Sequence, residues 1–427
     1  MNQQKYVNEM VEFRRDLHAH PELGWTEFRT SALIIKRLIE LGWETHCGLD
    51  VIEPKAVMGR DENEVSRSLE RARKEGVDEK ILEKMQGYTG ALGIWKTGRP
   101  GPVTALRFDI DALPVPETTA PEHLPNVGGY ASQYQGLMHA CGHDCHTGVG
   151  IAIAHWIADH ADELVGTIKL IFQPAEEGTR GALAMAEKGI VDDVDNLLAS
   201  HIACTPKLGY VSITDPGYNA TVKFDLIFQG RAAHSVANPQ DGRNALMAAC
   251  HTAVMVNSMP RHGDGLTTVS CGKLIAGETR NVIPVNALMQ MEVRGATNDL
   301  CQYIYEQATH AAKSCAEAFG VTLQIRKMGQ AFTMNPTPAL AALVEEEAKK
   351  VVGDDHVFHY SEKGGSEDAT ILMARVQQHG GRAAHFYYGA NHTGNHRSDF
   401  DPDDVKSMPV GFSVLIGTLN QLNGGAQ

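Results

Sequence analysis

Much that commonly betrays a protein's role is missing from these 427 residues. No apolar run approaches the roughly eighteen residues that a membrane span requires. The opening stretch MNQQKYVNEMVEFRRDLH has no apolar core of a secretory signal. A cytoplasmic location is the resulting expectation. Positive charge is scarce: 38 Lys and Arg stand against 52 Asp and Glu, a formal net charge of −14. That balance argues against a nonspecific nucleic-acid binder and against docking on anionic membranes. No two of the eight cysteines form a CxxC pair, and they are spread along the chain. A reduced setting therefore fits better than a disulfide framework. Walker A, GxGxxG, HExxH and GxSxG patterns are absent, as are internal repeats and low-complexity segments.

What is present is an alternation of helical and strand-like segments long enough for two domains. Residues 3–20 and 26–41 read as amphipathic helices. Residues 51–87 are highly charged and poor in large apolar side chains, which predicts a solvated helical surface insertion. From 91–98 the pattern changes, and strand-like runs within PVTALRFDIDALP (102–114) and at 166–178, 196–204 and 383–390 alternate with helices at 148–164, 181–190, 336–353 and 364–380. Chemistry-bearing residues gather at strand ends, so the fold class is α/β. Between them, strands near 221–229, 267–276, 286–294 and 321–328, with helices at 241–258 and 298–319, follow a β-α-β-β-α-β order. That order predicts a two-layer α+β unit at 213–328, inserted into a domain made of 1–212 and 329–427.

Four clusters carry possible chemistry. In MHACGHDCHT (138–147), Cys141 and His143 flank Gly142, and a thiolate and an imidazole at this spacing can converge in a tight turn. Such donors favour zinc and tolerate other divalent ions. Asp144, Cys145 and His146 follow directly. Glu176 and Glu177 come immediately after the run IKLIFQP. One such glutamate can bind a metal while its neighbour takes a proton from water; the alternative is an acid-rich helix start. His201 ends an apolar strand, where it is either a ligand or a core histidine. His392 and His396 lie in NHTGNHRSDFD. Cys141, His143, Glu177, His201 and one of these two histidines would give more ligands than one zinc ion with an open position accepts. They would suit two ions that share ligands. Asp109 and Asp111 offer carboxylates to orient a histidine. In the inserted unit, His234, Arg243, Asn281 and Arg294 are polar groups that could meet a substrate carboxylate or a developing oxyanion. A cysteine protease built on Cys141 or Cys145 would leave the glutamate pair idle. A metal-storage protein would not need Glu176 beside Glu177.

The segments LHAHPELGWTE, RFDIDALP, MHACGHDCHTGVG, FQPAEEGTRGA, AAHSVANPQDGRNAL, NVIP, EVRG and GGSED occur in this order along nearly the whole chain. Together they resemble the M20 metallopeptidases, in particular the branch of amidohydrolases and aminoacylase-like carboxypeptidases. The resemblance implies a zinc-peptidase-like α/β/α catalytic domain with a mainly parallel mixed sheet, and an inserted ferredoxin-like lid and dimerisation domain. It implies Cys141, His143, Glu177, His201 and His396 as ligands of two divalent ions. Cysteine softness favours zinc there, and the resemblance favours manganese. It makes Glu176 the general base, Asp111 the supporting aspartate, and His234 a group that reaches the scissile carbonyl across a dimer. Asn281 and Arg294 match substrate-binding positions, whereas Asp109 is not counted as a ligand. The expected reaction is hydrolysis of an acyl-amino-acid amide, p-aminobenzoyl-glutamate first. A broader N-acyl amino acid amidohydrolase, aminoacylase or dipeptidase is the alternative, and a non-catalytic partner in a hydrolase complex is another. The expected assembly is a homodimer or a heterodimer with a related chain, with no nucleic-acid or membrane partner.

Overall fold

The apolar runs TALRF, IKLIF, LLASHI and AAHFYY form the centre of the larger sheet in this computed structural model, which describes residues 4–204, 206–361 and 365–425. The chain divides into two compact units, Met1–Pro216 with Asn335–Glu362 and Asp368–Gln427, and Gly217–Met334 with Lys363–Glu367.

The first unit holds β1 (Glu44–Cys47), β2 (Ala91–Lys96), β3 (Val103–Asp109), β4 (Thr167–Gln173), β5 (Asn196–Ile202), β6 (Val211–Thr214), β11 (Val357–Tyr360) and β12 (Arg382–Tyr388). Their order across the sheet is β1-β2-β4-β3-β5-β12-β6-β11. The central strands β4, β3, β5 and β12 run parallel, whereas β1, β2 and the β12–β6 pair bring in antiparallel neighbours. Every residue of β5 is buried, as expected of a parallel strand covered on both faces. Helices α1 (Gln4–Ala19), α2 (Phe28–Glu40), α3 (Glu62–Lys74), α4 (Glu79–Met85), α5 (Leu124–Gly128), α6 (His143–Asp159), α7 (Ala182–Glu187), α10 (Pro338–Val352), α11 (Ala369–Gln378) and α12 (Asp404–Asn423) complete the unit. Trp43, Phe108, Phe172, Phe386 and Phe412 belong to its continuous core.

The second unit is a ferredoxin-like β-α-β-β-α-β fold. It contains β7 (Ala220–Gln229), α8 (Ala245–Ser258), β8 (Thr267–Ala276), β9 (Asn286–Gly295), α9 (Asn298–Phe319) and β10 (Thr322–Ala331). Its sheet is antiparallel throughout, in the order β10-β7-β9-β8. Alternation along β9 sends Ala287, Met289, Met291 and Val293 into a separate core.

Several sequence expectations shift. The unit boundaries fall at 216/217 and 334/335 rather than at 212/213 and 328/329. β6 still pairs with β11 and β12 before the chain leaves the first sheet, and β10 runs on to Ala331. The helix expected at 148–164 begins at His143, because Gly142 takes the left-handed conformation that starts it. A side chain at Gly142 would collide with Ile202. Gln3 and Gly364, the first residues of two expected helices, lie outside the described residues. The charged insertion is not merely solvated: α3 and α4 bury Val65, Ala72, Leu82 and Met85 in the main core while turning their acids and bases outward. The edge strands β1 and β11, four residues each, are too short to show a periodicity in the sequence. No helix among the described residues is long and apolar enough to cross a membrane.

Candidate metal centre

Strand order places the chemistry. β3, β4, β5 and β12 are parallel, so their carboxyl ends share one edge of the sheet. Asp109 ends β3, His201 sits one residue before the end of β5, and Glu176 and Glu177 follow β4. The loop carrying His392 and His396 follows β12. His143 and His146 occupy the first turn of α6. An edge where loops leave a parallel sheet is where open α/β folds bind ligands.

The donor atoms of Cys141, His143 and His201 lie within 4.8 Å of one another, as do those of Cys141, Glu177 and His396, and those of His143, Glu176 and Glu177. Cys141 Sγ is 3.5 Å from His201 Nε2. His396 Nε2 lies 3.2 Å from Glu177 Oε1, an ion-pair distance without hydrogen-bond alignment. His143 Nδ1 is 3.2 Å from Asp111 Oδ1, which leaves Nε2 buried without a hydrogen-bond partner, 3.9 Å from Glu176 Oε2. Asp111 also accepts the backbone N–H groups of Glu176 and Glu177, each at 3.0 Å. One carboxylate thereby fixes the imidazole and the glutamate pair together.

The electrostatics match this geometry. Burial favours the neutral ring of His143, yet Asp109 and Asp111 overrule it and hold the pKa well above the usual value. Contact with Cys141, then Glu177, lifts His396 to about 10. Burial and the neighbouring His146 hold His201 well below its usual pKa, as a neutral ring. Burial opposes the charge of Glu177, but His396 and His143 keep its pKa below the usual value. Asp109 also lies low despite burial, because His143, His146 and Arg107 surround it. Asp109 bonds to His146 and receives Arg107 Nη1 at 2.6 Å, so its oxygens already have partners.

The remaining expected residues fall into two groups. His392 packs at 5.6 Å from the Phe400 ring and accepts the Gly394 N–H through Nδ1, whereas His396 lies with Cys141 and Glu177. Asp144 pairs with buried Arg14, and His146 Nε2 accepts the Ile202 N–H. Cys145 is fully buried, and burial followed by the charge of Asp144 drives its thiol pKa well up. Burial of this kind keeps a thiol unreactive. In the second unit, His234 and Asn281 sit on adjoining segments: His234 bridges Val282, and Ser235 N donates to Asn281 O at 3.1 Å. Arg294 lies on β9 with its guanidinium on Glu292. Arg243 donates to the carbonyls of Gln240 and Gly242.

Two positioning residues escaped the sequence reading. Glu27 is buried below the glutamate turn and accepts the Ala175 N–H at 2.8 Å and the Thr89 hydroxyl at 2.6 Å. Burial and the charge of Asp111 raise its pKa to about 8. Ala175 there has φ 53° and Thr179 φ 61°, a strained turn that presents Glu176 and Glu177. Asp368 accepts the Gly181 and Ala182 N–H groups, Gln173 and Arg107, and so ties β3, β4 and the start of α7. Their signal lay in HPELGWTE and GGSED, which offered acids without showing what they would touch.

The residues fit a metal ion. The His143 imidazole with a buried nitrogen that has no partner, the Cys141 sulfur, the neutral ring of His201 and the Glu177 carboxylate converge, and Asp111 orients His143 from behind.

Comparison with known proteins agrees. Residues 105–421 match the model of Peptidase family M20/M25/M40. A Haemophilus influenzae protein, named as the homolog of a p-aminobenzoyl-glutamate hydrolase subunit, is 44% identical over 97% of this chain and 99% of its own length. The indole-3-acetyl-aspartic acid hydrolase of Enterobacter agglomerans is 42% identical over 96% and 95%. The crystal structure of an aminobenzoyl-glutamate utilization protein from Klebsiella pneumoniae superposes with a TM-score of 0.85 at 37% identity, covering 98% of each chain.

Proposed function

The chain belongs to peptidase family M20/M25/M40, and from that premise we propose that it is a metal-dependent amidohydrolase that cleaves p-aminobenzoyl-glutamate to p-aminobenzoate and glutamate. The observation that carries this reading is the joint fixing of His143, Glu176 and Glu177 by Asp111 beside Cys141, His201 and His396. It is supported by near full-length similarity to relatives whose names describe an aromatic acyl group on an acidic amino acid.

In this reading Cys141, His143, Glu177, His201 and His396 hold two divalent ions. Bound there, the ions would supply Lewis acidity toward the amide carbonyl and toward water. Thiolate softness speaks for zinc, and manganese is the competing ion. Glu176 is the general base: its carboxylate is buried beside His143 without being one of the ligands, so it is placed to take a proton from water and return it to the leaving nitrogen. Asp111 acts through others, by orienting His143 and the Glu176 backbone. His234 from a partner chain would meet the developing oxyanion, with Asn281 near it in the same loop pair, and Arg294 would serve the amino-acid carboxylate. The partner is a second copy or a related chain, in keeping with relatives whose names make them one subunit of a hydrolase. A cytoplasmic site of action accords with eight free cysteines.

The test is hydrolysis of p-aminobenzoyl-glutamate by purified protein supplied with zinc or manganese. Release of p-aminobenzoate and glutamate supports the reading. Preference for acyl-alanines over acyl-glutamates would replace it with a broader aminoacylase. No hydrolysis by the chain alone, with activity restored by a related chain, would make it one half of a hydrolase.

A further inference from the structure

Beside Glu177 lies a cavity of about 320 Å³, near the lower end of the range of about 300–1,000 Å³ for small-molecule sites. Part of its lining is apolar, from Leu23, Ala112, Leu113 and Pro114. Ala112 directly follows Asp111, so the apolar part adjoins the residue that fixes the glutamate pair. Another part comes from the charged insertion, through Gly59, Asp61 and Glu64. Arg180 links the two sides, since Nε donates to Glu177 O at 2.8 Å and Nη1 to Gly59 O at 3.1 Å.

The charges around this cavity select what enters. Three carboxylates line it, those of Asp61, Glu64 and Glu177, with Glu64 Oε1 shared with Arg67 on the surface, and the one cation in the lining among the described residues, Arg180, is already engaged by carbonyl oxygens. A dianionic amino-acid moiety would meet net repulsion there. A flat apolar ring would be accommodated by the leucine, alanine and proline surface. An N–H donor on that ring would find acceptors on the insertion. Asp61 Oδ1 caps α3 by accepting the Asn63 and Glu64 N–H groups at 2.8 and 3.4 Å, bonds that do not use Oδ2.

We propose that this cavity is the acyl-side subsite, taking an aromatic acyl group with its carbonyl toward Glu177 and an N–H donor at the opposite end of the ring toward Asp61 and Glu64. This rests on the amide-hydrolase reading above, and gives the insertion a part in specificity.

The experiment compares kcat/KM for p-aminobenzoyl-glutamate, benzoyl-glutamate and acetyl-glutamate in the parent, in Asp61→Ser/Glu64→Ala and in Glu64→Trp. Serine keeps a helix cap at position 61, and Glu64 lies on the partly exposed side of α3, so both variants should fold. Calorimetric binding of p-aminobenzamide to the metal-free proteins supplies a readout independent of turnover. Losing charged acceptors should lower the preference for p-aminobenzoyl- over benzoyl-glutamate by about tenfold or more in the double variant. Glu64→Trp should depress aroyl-glutamate turnover more than acetyl-glutamate turnover and weaken p-aminobenzamide binding. A parent that hydrolyses these amides, with a preference and a p-aminobenzamide affinity indifferent to both variants, overturns the subsite. A parent that hydrolyses none of them, yet binds p-aminobenzamide in a manner lost in Glu64→Trp, overturns the hydrolase reading and upholds the cavity's selectivity.

Discussion

Asp111 joins three residues of the candidate site, although it is expected to bind no metal. Its two oxygens receive Glu176 N, Glu177 N and His143 Nδ1. Asp111→Ala should therefore impair both metal retention and turnover, whereas Glu176→Gln should cost turnover with metals still bound. The first effect is read by metal analysis of dialysed protein, with a loss of about 10–100-fold in affinity expected for an orienting carboxylate. A second residue-scale prediction concerns His139, which is fully buried with both ring nitrogens unpaired. Burial lowers its pKa from 6.5 to about 4. Between those values the unfolded chain carries the proton and the folded chain does not, so stability falls as pH drops through that window. The loss should approach about 3 kcal/mol by pH 4, and His139→Leu should flatten it in acid unfolding curves. The ligand-type residues were legible in the sequence because thiolate, imidazole and paired carboxylates are rare together. Glu27 and Asp368 were not, because their partners, backbone N–H groups and side chains alike, come from segments distant in the sequence.

At the scale of elements, the insertion shows where composition misleads. The segment is rich in charge, but Val65, Ser68 and Ala72 recur at helical spacing and form a narrow buried stripe on α3. Ala72→Glu would bury an unpaired charge in the main core and should destabilise the first unit by about 3 kcal/mol or more. Arg67→Ala, which removes a surface partner of Glu64, should stay within about 0.5 kcal/mol. Denaturant midpoints of the two variants distinguish an anchored insertion from a solvated one. The helix starting at His143 carries a similar lesson. MHACGHDCHT is expected to form a tight turn ahead of a helix at 148, whereas Gly142 at φ 86° lets the chain turn straight into α6 at His143. The strand runs read well because burial on both faces demands continuous apolar sequence. β1, β6 and β11 are each four residues long and depend on pairing with neighbours, so the sequence carried little trace of them.

For the whole molecule, the fold brings residues from the ends of β3, β4, β5 and β12 to one edge, while a separate ferredoxin-like unit carries His234, Asn281 and Arg294. The strand-end logic made this edge readable in advance, but the distances and the Asp111 pivot came only from the folded chain. Metal binding should stabilise the folded protein by mass action, about 2.7 kcal/mol at a free metal concentration 100 times Kd. Because His143 and His396 hold their protons firmly in the metal-free protein, loading must displace them, so affinity should rise with pH. Melting curves with and without chelator, at two pH values, read both effects. The central claim is that Glu176 does proton chemistry at a site it does not itself assemble. Parallel measurement of bound metal and p-aminobenzoyl-glutamate hydrolysis in the parent and in Glu176→Gln tests it most directly. The expected result is unchanged metal content with turnover reduced by about 10²–10⁴-fold; full activity in Glu176→Gln would contradict it.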